Sequence, residues 1–401
     1  TARGRTLYDW CDKPCFVTRG ERGMVVADED GIHELPGIEL LEQIDPVGAG
    51  DAAASALALS LAAGAKPAEG GEIANLAAAV TTRKLFRTGT ASREEILSMG
   101  EDPDYLYQPE LAADIGKASY MDDTEVELCV PREEIPGGNV KHVVMDNDGT
   151  VSVLRQGWEH VMEDMMMDAI LGNERDTADA DLVDQVQEEV RDYIDRSTGV
   201  QTILQMEHLV EMVRRFDVVR EERVRDKHGY KEMYDKRLDG VVNRRIQSLK
   251  SGRMAPVDFT IKGALRFMKE LHDRGITLYL ASGTDRDDVR REAAALGYNH
   301  LFEGGIYGAV GDISRYSKKK VINDIITEHE LAGPELAVIG DGPVELRECR
   351  KQGGIPIGIA SNEIRRYGLD AHKRRRLIRA GAYAVAPDFS WKRELLTLLC
   401  G

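Results

Sequence analysis

Cysteine is scarce in this sequence and shows no pairing pattern. The five cysteines, at 11, 15, 129, 349 and 400, form no Cys-x-x-Cys pair. Their odd number leads us to expect reduced thiols in a cytoplasmic protein. Long apolar runs are lacking too: the longest small-residue stretch, AAASALALSLAAGA, is too short and too alanine-rich to span a bilayer. The chain does not open on the basic, apolar and small-residue succession of a signal peptide. Positive charge is in deficit, with a net −17 over 401 residues. That argues against nucleic acid or an anionic membrane as the main partner. There is no internal repeat and no low-complexity tract. What is present is an apolar share of 42%, ample for real cores, in a length that suits about two or three domains.

Residues 15–35, CFVTRGERGMVVADEDGIHEL, alternate short apolar runs with glycine and acidic turns and predict strand, turn, strand. GDAAASALALSLAAGA and EIANLAAAVTTRKLF predict two helices, the first ending at a glycine. From 99 to 137 the chain is acidic and punctuated by proline, which predicts a linker with one or two short elements. A new segment begins at NVKHVVMDNDGT, where an apolar run ends in an aspartate; this predicts a buried strand that delivers a polar group at its C-terminal end. Residues 157–255 carry Met, Leu, Val, Glu and Arg at helical spacing and no strand pattern. From 256 onward strands and helices alternate, through ITLYLAS, ELAVIGD, IPIGIAS and AYAVAP. That alternation predicts a parallel sheet with helices on both faces, interrupted after its first strand by an all-helical insert.

Four polar stations follow strands or open helices in this second part. Asp146 and Asp148 lie two apart after HVVM, so extended geometry would turn both carboxylates to one pocket. Such a pair suits Mg²⁺, or a division of labour between nucleophile and proton shuttle; an Asp-Asn-Asp-Gly turn is the plainer alternative. Ser282 opens SGT after TLYLA, where a hydroxyl and backbone amides suit a phosphate oxygen, or equally a helix cap. SKKK supplies Lys318, Lys319 and Lys320 before a helix, and AVIGDGPVE places Asp341 and Glu345 after a buried strand. On one parallel sheet all strand C-termini open on one edge, where ligands bind.

Together the segments DNDGT, SGT, the lysine near 318 and GDGPVE resemble the four motifs of the haloacid dehalogenase superfamily of phosphotransferases, over residues 138–401. The resemblance implies a Rossmann-like α/β core at 138–156 and 256–401, with an inserted helical cap at 157–255. It further implies that Asp146 forms an aspartyl-phosphate and that Asp148 protonates the leaving oxygen and then activates water. Ser282, Gly283 and Lys318 would hold the phosphoryl group, and Asp146, Asp148, Asp341 and Glu345 would surround Mg²⁺. Aspartate at 148 favours a phosphatase, or a mutase, because hydrolysis needs an acid and base there.

In the insert, Gln201 and Gln205, with Lys231 and Arg244, are the candidates for contact with the rest of the substrate. The methionines of GWEHVMEDMMMDAIL are expected to fill a core, with Trp158 at a hinge. The run HKRRR at 372–376 is expected to be a solvated helix face, in keeping with the acidic chain.

DPVGAGD before an alanine-rich helix resembles the signature of ribokinase-like (PfkB) sugar kinases, nearest to the heptose-phosphate kinases. It implies an anion hole at Gly48, Ala49 and Gly50, with Asp51 as base. The resemblance spans residues 1–98 and only the last third of such a kinase, so this partial α/β segment is expected to be catalytically silent. The expectation for the whole chain is a Mg²⁺-dependent phosphatase of a small phosphorylated metabolite, probed against a phosphomutase, a sugar kinase and a non-catalytic module as the competing readings.

Overall fold

The computed structural model describes residues 2–40, 44–85, 89–175, 177, 179–197, 200–309 and 317–401. Phe86 of the second predicted helix, and Thr198 and Gly199 ahead of Gln201, lie outside the described residues. The chain divides into two compact units, Thr1–Pro109 and Glu110–Gly401.

The first unit is built on α1 (Ala2–Cys11) and a meander of three antiparallel strands, β1 (Cys15–Thr18), β2 (Met24–Asp28) and β3 (Gly31–Leu35). The sequence pattern showed two of these; GIHEL adds the third once the DEDG turn has closed. Two helices follow, α2 (Ala49–Ala62) and α3 (Pro67–Thr82), and then α4 (Arg93–Glu101). The core is small: Met24, Val26, Leu35, Ala53 and Ala74. Gly71 lets α3 lie close on the meander, since a Cβ there would come within 2.4 Å of Leu35 Cδ1.

The second unit begins with α5 (Pro109–Ala113), the two-residue strands β4 (Ser119–Tyr120) and β5 (Glu127–Leu128), and β6 (His142–Asp146). Between β6 and the next strand come four long helices, α6 (Trp158–Leu171), α7 (Ala180–Arg196), α8 (Thr202–Phe216) and α9 (Lys227–Lys250). The alternating part is α10 (Ala264–Asp273), β7 (Thr277–Asp285), α11 (Arg286–Leu296), β8 (Gly305–Ala309), α12 (Lys318–Glu328), β9 (Leu336–Gly340), α13 (Pro343–Lys351), β10 (Ile355–Ile359), α14 (Ala371–Arg379), β11 (Ala384–Ala386) and α15 (Lys392–Cys400).

The strands form one sheet in the order β4-β5-β11-β10-β9-β6-β7-β8, parallel from β11 to β8. Strand pleating sends alternate residues to opposite faces. Val143, Met145, Leu278, Leu280, Ala337 and Ile339 enter one core, while Val144, Tyr279, Ala281, Leu336 and Val338 enter the other. This two-sided burial explains the near-continuous apolar runs. The chain runs from β6 to one side through β7 and β8, and later to the other through β9, β10 and β11. The order therefore reverses beside β6, which opens a crevice at the strand C-termini.

Residues 99–137, expected to be a linker, do more than connect. β4 and β5 extend the sheet in antiparallel fashion beside β11. Arg374 on α14 reaches Glu127 of β5 at 2.6 Å through both Nε and Nη2, and its Nη2 also donates to Leu111 O at 3.0 Å. The HKRRR run is likewise not a solvated face as a whole, because Lys373 and Arg374 are both buried. The methionines of α6 behave as expected: Met162, Met165, Met166 and Met167 are buried in the core that the inserted helices share with the sheet. Among the described residues no helix is long and apolar enough to cross a membrane.

Candidate active site

Asp146 ends β6, buried, and the loop DNDGT folds back on it. Asn147 N donates to Asp146 Oδ1 (2.9 Å), and Tyr298 Oη, from beyond α11, donates to Asn147 Oδ1 (2.6 Å). Val151 and Ser152 N both donate to Asn147 O, at 2.9 and 2.8 Å, which closes the loop. Gly149 has φ +76°, and a Cβ there would lie 2.3 Å from Asp341 Oδ2 and 2.8 Å from Glu363 Oε1. A side chain at 149 would therefore enter the carboxylate cluster itself, besides straining the left-handed backbone.

The neighbouring strand β9 brings Asp341 and, at the start of α13, Glu345. One oxygen each of Asp146, Asp341 and Glu345 lie within 4.8 Å of one another, all three residues buried. Two lysines offset this charge. Lys318 Nζ, at the first turn of α12, is 2.9 Å from Asp146 Oδ1 and 3.2 Å from Glu345 Oε2. Lys373 Nζ on α14 is 2.6 Å from both Asp341 Oδ2 and Glu363 Oε1. Burial pushes the Asp146 carboxyl up, against the pull of Lys318. Burial acts on Asp341 as well, but Lys373, with Arg376 and Lys318, outweighs it and holds that carboxyl below its ordinary value. Thr150 Oγ1 donates to Asp341 Oδ1 at 3.1 Å. Beyond its ion pair with Lys318, Glu345 Oε2 accepts no hydrogen bond from the described residues. Three crowded, buried oxygen ligands with a spare acceptor fit a hard divalent cation.

Asp148, expected among the metal ligands, stands apart from that trio. Its Oδ2 accepts from Ser282 Oγ at 3.0 Å and from Thr284 Oγ1 at 3.1 Å, and Asn147 Nδ2 donates to its Oδ1. Both carboxylates line one cavity, although Asp148 lies beyond the end of β6. Of the three candidate lysines, Lys318 is the one at Asp146; Lys319 is half-exposed with Glu348 at 3.9 Å, and Lys320 is exposed.

A cavity of about 100 Å³ opens over these groups, lined by Asp146, Asp148, Ser282, Gly283 and Lys318 from the sheet edge. The inserted helices supply Trp158, Thr202, Gln205, Lys231, Tyr234 and Asp235 to it. Gln201 is buried but does not line the cavity, and Arg244 is exposed away from it. Arg244 was expected to face the substrate; the helix turns its neighbour Arg245 inward instead, onto Leu154 O at 2.7 Å.

Around Lys231, which the sequence offered as a candidate, the structure gathers several groups that had no local sequence signal. Arg155 donates through Nη2 to Glu292 Oε1 at 2.7 Å and lies 3.5 Å from Asp288. Lys231 Nζ joins Asp235 at 2.7 Å and Asp285 at 2.8 Å. Burial lifts Glu292 to about 7 against Arg155, and lifts Glu159, near Glu363, to about 7 as well. Lys373 and Glu363 belong here too; only their three-dimensional placement reveals them.

In the first unit, Gly48 caps α2 with φ +83° and no side-chain cap bond. Ala49 and Gly50 begin that helix, and Asp51 is exposed in its first turn.

Residues 140–353 match the family model of haloacid dehalogenase-like hydrolases, and residues 3–92 match that of pfkB family carbohydrate kinases. The chain is similar to the bifunctional protein HldE of Shewanella denitrificans, 47% identical over 84 residues, which are 20% of this chain and 17% of that protein. HldE of a Caulobacter species is 41% identical over 93 residues, 22% and 18% of the two chains. The chain thus spans under a fifth of these curated relatives. Among solved structures, a haloacid dehalogenase-like hydrolase from Streptococcus pneumoniae is similar at 15% identity and TM-score 0.40, over 64% of this chain and 97% of that one. A β-phosphoglucomutase from Clostridium difficile is similar at 10% identity and TM-score 0.38, over 55% and 84%. On the family match over more than half its length, the chain belongs to the haloacid dehalogenase-like hydrolases.

Proposed function

We propose that the second unit is a Mg²⁺-dependent phosphatase that hydrolyses a small phosphate monoester, a sugar phosphate in the first instance, through an aspartyl-phosphate on Asp146. The observation that carries this reading is the meeting of Asp146, Lys318, Asp341 and Glu345 at the C-termini of adjacent parallel strands, with Asp148 and Ser282 beside them.

Asp146, Asp341 and Glu345 would hold the metal, which when bound offsets the charge of the phosphoryl group and of the carboxylate that attacks it. Lys318, Ser282 and the amides at Gly283 bind the equatorial oxygens of the phosphoryl group, where charge spreads during transfer. An oxygen of Asp146 forms a bond to phosphorus as the ester P–O bond breaks. Asp148 gives its proton to the departing alkoxide, which leaves as the alcohol. Asp148, now a carboxylate, takes a proton from water as that water bonds to phosphorus, and the bond to Asp146 breaks to release inorganic phosphate. The Thr284 hydroxyl on Asp148 Oδ2 holds it in place between these two roles, which leaves the single hydroxyl proton of Ser282 for the phosphoryl group.

The inserted helices α6–α9 act as a cap that excludes water from the first step. The two cations that line the cavity besides Lys318 are already matched: Lys231 by Asp235 and Asp285, Arg155 by Glu292 and Asp288. A second phosphate would find no spare positive charge on them. That favours a monoester with a neutral, hydroxyl-bearing leaving group over a mutase that binds a bisphosphate. The kinase-like turn around Asp51 takes no part in this chemistry.

Release of inorganic phosphate from a panel of sugar monophosphates, with Mg²⁺, tests the reading. Turnover that Asp146→Asn abolishes and Asp51→Ala leaves intact supports it. No turnover of any member, or isomerisation that depends on a bisphosphate activator, counts against it.

A further inference from the structure

A second cavity, of about 660 Å³, lies in the same unit beside the C-terminal ends of β10 and β11. Its lining is basic in an otherwise acidic protein: Lys262, Arg266, Arg365, Arg366 and Lys392, with Tyr367 among them. Buried Phe389 and Ile261 contribute an apolar part.

The charges there are only partly matched. Arg366 Nη1 donates to Val257 O at 2.5 Å and is 3.8 Å from Asp258, and Lys392 meets Glu270 at 2.6 Å. Lys262 lies 5.5 Å from the Tyr367 ring centroid. Among the described residues neither Arg266 nor Arg365 has an ion pair. The nearby Asp388 is spent on backbone amides, those of Gly368 at 3.2 Å and Ser390 at 2.7 Å. The N-terminus of α10 opens on the same cavity, capped by Gly263 with no side-chain acceptor, which adds a positive dipole end. Unmatched cations, an aromatic face and an apolar part in a volume of this size together suit an organic anion carrying a flat ring.

The cavity also shares a structural piece with the active site. Residues 361–370 form a tight loop: Asn362 N donates to Gly368 O at 2.9 Å, Arg366 N to Asn362 O at 2.7 Å, and Arg365 N to Asn362 Oδ1 at 3.0 Å. Arg366 is held at φ +67° within it. Glu363 projects from this loop to Lys373, while Arg365, Arg366 and Tyr367 of the same loop line the second cavity. These hydrogen bonds tie Glu363 and the two arginines into one short loop.

We propose that this cavity is a second ligand site, which takes the di- or triphosphate of a nucleotide-like compound with its ring at Tyr367. Its occupancy alters the Glu363–Lys373–Asp341 cluster and hence the turnover rate.

Isothermal titration calorimetry on the whole chain, in excess Mg²⁺, uses ADP, inorganic pyrophosphate and adenosine as probes. Saturable binding of one ADP per chain is expected, with pyrophosphate weaker and adenosine weakest. Arg365→Glu and Lys262→Glu each weaken ADP by about tenfold or more, and Asp51→Ala and Asp146→Asn leave it unchanged. Absence of ADP binding, an affinity in the two charge-reversed variants undiminished from that of the unsubstituted protein, or loss of binding in Asp51→Ala overturns the site. Pyrophosphate binding as tightly as ADP overturns the part given to the ring. The rate comparison rests on the phosphatase reading, whereas the calorimetry does not. Saturating ADP should change the rate of the unsubstituted protein and leave that of Arg365→Glu where it stands without ADP; an ADP that binds yet leaves the rate of the unsubstituted protein unchanged overturns the coupling.

Discussion

Replacing Lys373 by methionine removes the cation that joins Asp341 to Glu363. The lysine Nζ is 2.6 Å from each carboxylate, and the three side chains are only 11%, 8% and 12% exposed. Methionine keeps most of the volume, so the loss is that of charge, with two carboxylates left facing each other out of water. Removing one partner of a buried ion pair costs about 3–5 kcal/mol, and this site belongs in that range. Adding Glu363→Gln takes away one of the stranded charges and should recover roughly half of the loss. The loss should also be smaller at pH 5 than at pH 8, because the stranded carboxyls, freed of the lysine, can take up protons. Urea unfolding followed by tryptophan fluorescence reads it out, with a chelator present. Trp158 and Trp391 report on the second unit, while Trp10 in the first is already 81% exposed. A midpoint shift worth less than about 1 kcal/mol would refute the reasoning. So would a double variant no more stable than the single one.

Glu159 titrates in a useful window: burial, with Glu363 adding to it, lifts its carboxyl from 4.5 to about 7. The folded state then keeps a proton that the unfolded chain has lost, so stability falls as pH rises from 4.5 through about 7, by roughly 3 kcal/mol. Glu159→Gln should remove that slope, and the unfolding free energies of the two proteins at either end of the window check it. Gly149→Ala should lower both stability and turnover, because its methyl group meets the oxygens of Asp341 and Glu363; unchanged turnover would show that the loop has room that the structure denies. Arg374→Met should destabilise the second unit by about 3 kcal/mol, as it leaves Glu127 buried and unpaired on β5.

The parts of the site that could be seen in the sequence are those a strand announces locally. Asp146, Ser282 and Asp341 each follow a run of apolar residues buried on both faces, and the polar residue marks where the strand leaves the core. The helical insert was visible for the same reason, as a long stretch with helical periodicity and no strand pattern. Lys318 was one of three adjacent lysines, and only helix phase separates it from its exposed neighbours.

What sequence could not show are pairings across large separations in the chain. Lys373 sits in a run of five basic residues in which two turn inward, and nothing in HKRRR marks which two. Arg155 with Glu292, and Glu127 with Arg374, are matched pairs whose members lie in unrelated segments. β4 and β5 are two residues long, too short for any alternation to register, and they are held by the neighbour β11 and by Arg374. The carboxylate trio is formed without Asp148, whose side chain is engaged by Ser282, Thr284 and Asn147, contacts that the spacing of DNDGT does not announce. In the first unit the glycine turn and its helix were legible, because Gly48 at φ +83° and the alanine-rich run after it are local signals.

The central claim is that Asp146 carries the phosphoryl group, and one trapping experiment tests it most directly. Asp148→Asn should still permit attack on p-nitrophenyl phosphate, whose leaving group departs without a proton, yet fail to activate water for the second step. Acid quenching after incubation with Mg²⁺ and that ester, followed by peptide mass analysis, is expected to find a hydroxylamine-labile phosphoryl group on the peptide containing Asp146. A phosphoryl group on another residue, or none while the unsubstituted protein turns the ester over, would contradict the account.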